Sequence, residues 1–192
     1  MDYFKTNHTF EAGKGDLLIS EPFLPDPNFE RTVILLCEHD KDGSFGFVLN
    51  KPSIVELEEV IENGHGCKEK LYVGGPVQQN SLHFIHRSME LMESGVEIIN
   101  GIYWGGDFDK LFSLINTNQL DNSNFKFFLG YSGWSEGQLQ EELDAKSWIV
   151  YKGATPDQVF DLDPDELWRN VLKDLGGKFR MFANYPEDPR LN

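Results

Sequence analysis

Ser132 is the residue whose setting most invites chemistry. It lies in Gly130-Tyr131-Ser132-Gly133-Trp134, after an apolar strand-like stretch and ahead of a helical one. A serine at a strand-to-helix turn is the setting of the nucleophile elbow, whose pattern is G-x-S-x-G; here Trp134 stands where the last glycine belongs. A serine nucleophile also needs a histidine base within hydrogen-bond reach. His39, His83 and His86 are available, and spacing alone does not place them. The plainer reading is a helix N-terminal turn, with Trp134 as a hydrophobic staple ahead of Ser135.

Gly74-Gly75-Pro76-Val77 is the second such feature. Bare backbone after a strand can offer its N–H groups to an anion or oxyanion. It also serves wherever a turn needs positive φ or a close backbone approach, and that is the commoner use. Neither GxxxxGK[ST] nor a GxGxxG after a strand occurs, which argues against nucleotide binding through either fingerprint. Cys37 with His39 and His65 with Cys67 make a Cys2His2 composition that zinc accepts. The spacings are not those of zinc fingers, and a strand cysteine more often acts as a small hydrophobe. On a regular strand Cys37 and His39 would share a face, whereas His83 and His86 would not. The carboxylates Glu58-Glu59, Glu141-Glu142, Asp161, Asp163 and Asp165 fall on polar helix faces or at helix starts, where they solvate and cap. No cofactor and no metal are implied.

The elements that must hold these residues are legible in outline. Asp16–Ser20 reads as a strand. Residues 21–28 carry Pro22, Pro25 and Pro27 and read as a surface loop presenting Phe23 and Leu24. Thr32–Glu38 and Phe45–Leu49, joined at Asp40-Lys41-Asp42-Gly43, predict a hairpin. Ser53 with Glu56 predicts a capping box that opens a helix with Ile54, Leu57, Val60 and Ile61 on one face. Asp107, Ser135 with Gln138, Thr155-Pro156 with Gln158, and Asp163-Pro164 mark further helix starts, and Gly176-Gly177 a stop. Strands are expected at 71–73, 82–86, 97–99, 102–104, 126–130 and 148–151. Hairpins early and strand–helix alternation late predict an α/β layered sandwich: a mixed, hairpin-rich sheet with packed helices in a single domain over 1–192, with 1–13 as a polar lead-in.

Composition narrows the partners. The chain has 192 residues with 15 Phe, enough to build a core without disulfides or a structural metal. Lys plus Arg is 17 against 32 for Asp plus Glu, a formal net charge of −15. Such a field repels a phosphate backbone or an anionic lipid surface, so direct nucleic-acid and membrane binding are disfavoured. No apolar run approaches a bilayer span, and the start lacks a basic-then-apolar leader. Reduced cysteines in a cytoplasm are the expectation.

Several of these runs together resemble the AlgH/YqgE family. They are Phe29-Glu30-Arg31-Thr32-Val33-Ile34-Leu35-Leu36-Cys37-Glu38-His39-Asp40 with Gly43, Gly46 and Leu49-Asn50-Lys51-Pro52; Tyr72-Val73-Gly74-Gly75-Pro76-Val77; and Phe128-Leu129-Gly130-Tyr131-Ser132-Gly133-Trp134 with Gly137-Gln138-Leu139. Trp148, Phe160, Trp168 and Leu175-Gly176 extend the likeness, which spans about Gly15 to Asn192. The resemblance implies a bacterial cytosolic α/β sandwich. It brings a transcriptional-regulator label but no cofactor and no catalytic set. The charge favours an indirect regulatory role through a protein over direct DNA binding.

The matching positions Arg31, His39, Asn50, Pro52, Gly74, Gly75, Pro76, Ser132, Gly133 and Trp134 are the candidates for a shared surface or for turns that determine the fold. The reading preferred on these grounds is a non-enzymatic binding protein. Its shallow apolar groove, near Phe23, Leu24 and Trp134, would take a protein or peptide. The alternative is a small-molecule hydrolase or acyl-transfer enzyme with Ser132 as nucleophile and backbone donors near Gly75. Oligomeric state is left open.

Overall fold

The computed structural model of the chain describes residues 11–61 and 67–187. Most of the 1–13 lead-in, and His65, lie outside them. Strands β1 (Leu17–Ser20), β2 (Val33–Asp40) and β3 (Gly43–Val48) form an antiparallel meander. After them come β4 (Pro52–Glu56), the single turn α1 (Leu57–Val60), β5 (Lys70–Val73) and the long β6 (Val77–His86). The turn α2 (Met89–Met92) precedes a hairpin of β7 (Val96–Ile99) and β8 (Ile102–Trp104), then α3 (Phe108–Asn116). The chain continues as β9 (Phe125–Ser135), α4 (Gln138–Asp144), β10 (Trp148–Tyr151), α5 (Pro164–Leu175) and α6 (Gly177–Phe182). The strands join in a ten-stranded sheet of order β10-β1-β2-β3-β9-β6-β8-β7, with β4 beside β5 and β5 beside β9. The β5–β9 pair is parallel and the other ladders are antiparallel, so the sheet is mixed.

Capping chemistry sets the starts at Asp107, Asp163 and Thr155 where the sequence placed them; Ser135 instead ends β9, its N–H donating to Gln138 Oε1 at 3.1 Å, and α4 starts after Gly137. The Asp107 carboxylate accepts from the N–H groups of Asp109 and Lys110 at 2.9 and 3.2 Å. That of Asp163 accepts from Asp165 N–H at 2.9 Å. These bonds satisfy donors that have no partner inside the helix. Thr155 and Gln158 exchange the two bonds of a capping box, and the turn they open, Asp157–Asp161, is π-helical.

Two expectations are corrected. Ser53–Glu56 is strand, not helix: Pro52 pairs with Tyr72 and Glu56 with Lys70, so the β4–β5 ladder takes the backbone a helix would have used. Helix begins only at Leu57, boxed by Glu56 and Glu59, and Ile54 is 99% exposed instead of lining a core. The second correction concerns Ser132. It lies inside β9, not at a strand-to-helix turn, because pairing with β3 carries the strand on to Ser135.

Burial divides into three clusters. One face of the sheet carries Leu17, Leu35, Phe47, Ile85 and Phe128, against which α5 lays Leu167, Trp168, Val171 and Leu172. Phe47 and Phe128 stack at 4.6 Å, and Trp168 Nε1–H donates to Ser20 O at 3.0 Å, fixing α5 to β1. On the other face α4 covers Leu18, Ile34, Leu36 and Val48 with Leu139 and Leu143. Further along that sheet α3 buries Leu111 and Leu114 with Phe84, Phe125 and Phe127.

A backbone crossing joins the two halves of the sheet. Gly74 N–H donates to Leu129 O at 2.9 Å, and Gly74 O accepts from Val48 N–H at 2.9 Å and from Ser132 Oγ at 3.0 Å. A Cβ on Gly74 would lie 2.4 Å from Gly130 O, and one on Gly75 would lie 2.3 Å from both the carbonyl carbon and the oxygen of Tyr131. No side chain fits between segments this close. Gly75→Ala is expected to cost about 3 kcal/mol or more through overpacking against backbone that cannot move aside. Urea unfolding measures it; a loss within error of zero would show that the crossing opens freely.

Candidate functional site

The sheet face shared with α5 continues past the helix as an open cleft of about 590 Å³. Phe45, Tyr131, Trp104 and His83 furnish its aromatic walls; Val77, Gly133, Ser44 and Trp134 complete them, and Glu38, Asp40 and Asp42 line the acidic side. Phe45 is the hub, edge-to-face with Trp104 at 4.8 Å and with Tyr131 at 6.2 Å. The His83 ring lies 5.4 Å from Phe47 and 5.9 Å from Tyr131. A second hollow of about 390 Å³, lined by Phe84, Val96, Phe108 and three glycines, shares His83 and Trp104 with the first. The two form one apolar track divided by those rings.

Strand register explains who faces the cleft. β2 and β3 pair Leu35 with Phe47 and Leu36 with Gly46, and then Glu38 with Phe45, leaving Cys37 as an extra residue. That bulge re-phases the strand. Without it His39 would share the face of Phe45. With it Glu38 and Asp40 do, and His39 pairs with Ser44 and bonds Ser44 Oγ through Nδ1 at 2.6 Å. Across β3, Gly133 lies opposite Phe45 and opens the floor, since a side chain there would stand beside Tyr131.

The residues singled out in the sequence divide accordingly. Gly133 and Trp134 line the cleft. Trp134 is 6% exposed, and its Nε1–H donates to Glu142 Oε2 at 2.8 Å, the same oxygen that accepts from Trp148 Nε1–H at 2.7 Å. Ser132 is fully buried, its hydroxyl donating to Gly74 O, and Gly74 and Gly75 are buried in the crossing beneath the cleft. Pro76 is exposed at the edge of that turn. Arg31 and Asn50 lie at the other end of β2. Asn50 Nδ2–H donates to Arg31 O and its Oδ1 accepts from Val33 N–H, both at 2.8 Å. The Arg31 guanidinium stacks on Trp168 at 4.8 Å and donates to Tyr185 O at 2.6 Å. Pro52 starts β4. Phe23 stacks on Tyr185 at 5.6 Å and Leu24 packs in the α4 cluster, so neither lines the cleft. Cys37 is buried, and desolvation pushes its thiol far up, as befits a core residue.

Sequence reasoning missed Phe45, Trp104, Tyr131, His83 and the three acids as a group. They come from separate strands, and only Asp40-Lys41-Asp42 beside Phe45 hinted at an acidic hairpin tip. His83 Nε2 is buried without a hydrogen-bond partner among the described residues, and desolvation lowers the pKa of the ring. His86, by contrast, is a satisfied core histidine: Nε2 bonds Ser94 O at 3.1 Å and Nδ1 accepts from Ser88 N–H at 3.3 Å. A third, polar hollow near Lys68, Lys70 and Tyr72 is walled by Lys126. The Lys126 Nζ donates to Val159 O at 3.3 Å and lies 4.2 Å over the Tyr72 ring.

The AlgH-like family model (DUF179) matches residues 17–180. A UPF0301 protein of Cytophaga hutchinsonii is 46% identical over 180 residues, covering 93% of this chain and 98% of that protein. One of Chlorobium luteolum is 41% identical over 192 residues, the whole of both chains. The solution structure of the AlgH protein from Pseudomonas aeruginosa superposes with a TM-score of 0.71 at 31% identity, covering 90% of this chain and 94% of that one. A crystal structure of a Corynebacterium diphtheriae protein shares the fold, with a TM-score of 0.76 at 22% identity over 91% of this chain and 93% of that one. The chain belongs to the AlgH-like family. Among the described residues no helix is long and apolar enough to cross a membrane.

Two outcomes are expected. Ser132→Ala removes one bond to a carbonyl that keeps its Val48 donor, so it should cost about 1 kcal/mol in urea unfolding and leave the fold intact; a change of several kcal/mol would contradict this assignment. Burial holds the Lys126 amine at about 8 instead of 10.5. Between those values the unfolded chain binds more protons than the folded one, so stability rises with pH across that window. Lys126→Met should flatten the rise and stabilise the protein at neutral pH. An unchanged slope in the variant would assign the rise to other groups.

Proposed function

We propose that this AlgH-like protein is a non-enzymatic docking protein that engages a segment of a partner polypeptide in the cleft of Phe45, Trp104 and Tyr131, and that any regulatory effect is exerted through that partner. The observation that carries the reading is an open aromatic track, two adjoining hollows of about 590 and 390 Å³ that share the rings of His83 and Trp104. Solvent-facing aromatic rings in a recess are the usual anchors of protein recognition, because they bury much area at small entropic cost. The serine of the elbow-like run spends its hydroxyl on the Gly74 carbonyl inside the sheet, which favours docking over acyl transfer. The net charge of −15 favours a protein over a nucleic acid as the partner.

A photo-crosslinking amino acid placed at Val77, in the cleft, and at Lys173, on the exposed side of α5, tests this in cells. Discrete polypeptide adducts are expected from position 77 and not from position 173. Equal adduct patterns from the two positions would count against the cleft as the docking site.

A further inference from the structure

We propose that the group this cleft takes from its partner is an arginine side chain, seated over the aromatic rings and paired with the carboxylates of Glu38, Asp40 and Asp42. The inference rests on the docking reading and adds the chemistry of the bound residue. Its basis is charge complementarity. The bulge at Cys37 turns two carboxylates, Glu38 and Asp40, onto the face of Phe45, and the hairpin turn adds Asp42. Among the described lining residues there is no lysine or arginine to neutralise them. Lys41 reaches Asp42 at 3.2 Å, but both side chains are largely exposed, and such a pair is worth little. The acids therefore stand beside an aromatic wall with no buried counter-ion.

An aromatic face attracts a cation within about 6 Å of its centroid, and more strongly where water is excluded. Phe45 meets Trp104 and Tyr131 edge-on, so the three rings make a corner in place of a closed stack. Arginine fits such a corner better than lysine. Its planar guanidinium stacks on a ring while its fork of N–H donors meets carboxylates in pairs, and it sheds water more readily than an ammonium. An anionic group would meet three carboxylates. A purely apolar one would cover them without supplying a counter-charge, leaving Asp40 only the Asp42 N–H at 2.8 Å, which is costly. The adjoining hollow of Val96 and Phe108 offers no carboxylate and suits an apolar neighbour in the same segment. The overall acidity of the chain steers basic segments toward it.

Selection of random displayed dodecapeptides on the full chain tests the inference. Selected sequences are expected to share an arginine beside an apolar residue. A synthetic peptide of the selected sequence should bind at least tenfold more weakly when citrulline replaces its arginine. It should weaken similarly on the triple variant Glu38→Gln, Asp40→Asn, Asp42→Asn, and also when lysine replaces its arginine. Gly133→Val, which fills the floor on strand backbone that tolerates a side chain, should abolish binding; Trp104→Leu is the second cleft variant should the first fail to fold, as read by near-ultraviolet circular dichroism. Peptides that lose binding on the cleft variants but tolerate citrulline, lysine or the triple amide variant would overturn the arginine inference and leave docking in place. Peptides indifferent to every cleft variant would overturn both.

Discussion

Gly75 runs so close to the Tyr131–Ser132 peptide that not even a methyl group fits between them. That approach governs the architecture. It brings the end of β5 against β9 at the point where β9 leaves its partners β5 and β6 and takes β3. Gly74 satisfies its own carbonyl from two directions there, through Val48 N–H and Ser132 Oγ. Gly130, at φ +69°, lets β9 change direction while its own missing side chain clears Val77 O. A sheet of ten strands with helices on both faces is continuous because these four segments approach backbone to backbone, with the Ser132 hydroxyl as a strut between them. Buried polar backbone must find partners within the protein, and the crossing supplies them from peptide groups and the Ser132 hydroxyl.

The cleft is a consequence of that junction. β9 carries Tyr131 and Gly133 out of the core on the face of Phe47 and Phe128, beyond the reach of α5. The same aromatic cluster that is stacked and dry around Phe47 becomes a wet wall at Phe45, Tyr131 and Trp104. The bulge in β2 then decides its electrostatic character, because one extra residue exchanges a histidine for two carboxylates on that face. A small irregularity in one ladder thus converts an apolar recess into one suited to a cation.

How much of this was legible depended on whether the deciding interaction was local. The β2–β3 hairpin, the Asp107 and Asp163 caps and the Thr155–Gln158 box rest on residues a few positions apart, and they stand where the sequence put them. The Ser53–Glu56 box failed because a strand partner, β5, competed for the same backbone and won. The elbow-like run at Ser132 failed for the same kind of reason: β3 extends β9 through the expected turn. Trp134, placed near the groove by the sequence, borders the cleft, while its indole packs in the α4 cluster and gives its N–H to Glu142.

By itself the sequence determined the kind of layers and the material of the core, because periodicity and capping act within a turn or two of chain. It also determined the acidity that disfavours phosphate partners, since charge sums without regard to place. Tertiary structure alone decided that the paired glycines are a crossing and not an anion cradle, and that Ser132 is a strut. It alone gathered rings from β3, β6, β8 and β9 around three acids. Those outcomes hang on register and on contacts between segments tens of residues apart, and a one-residue shift of any one of these strands would have turned its side chains to the opposite face.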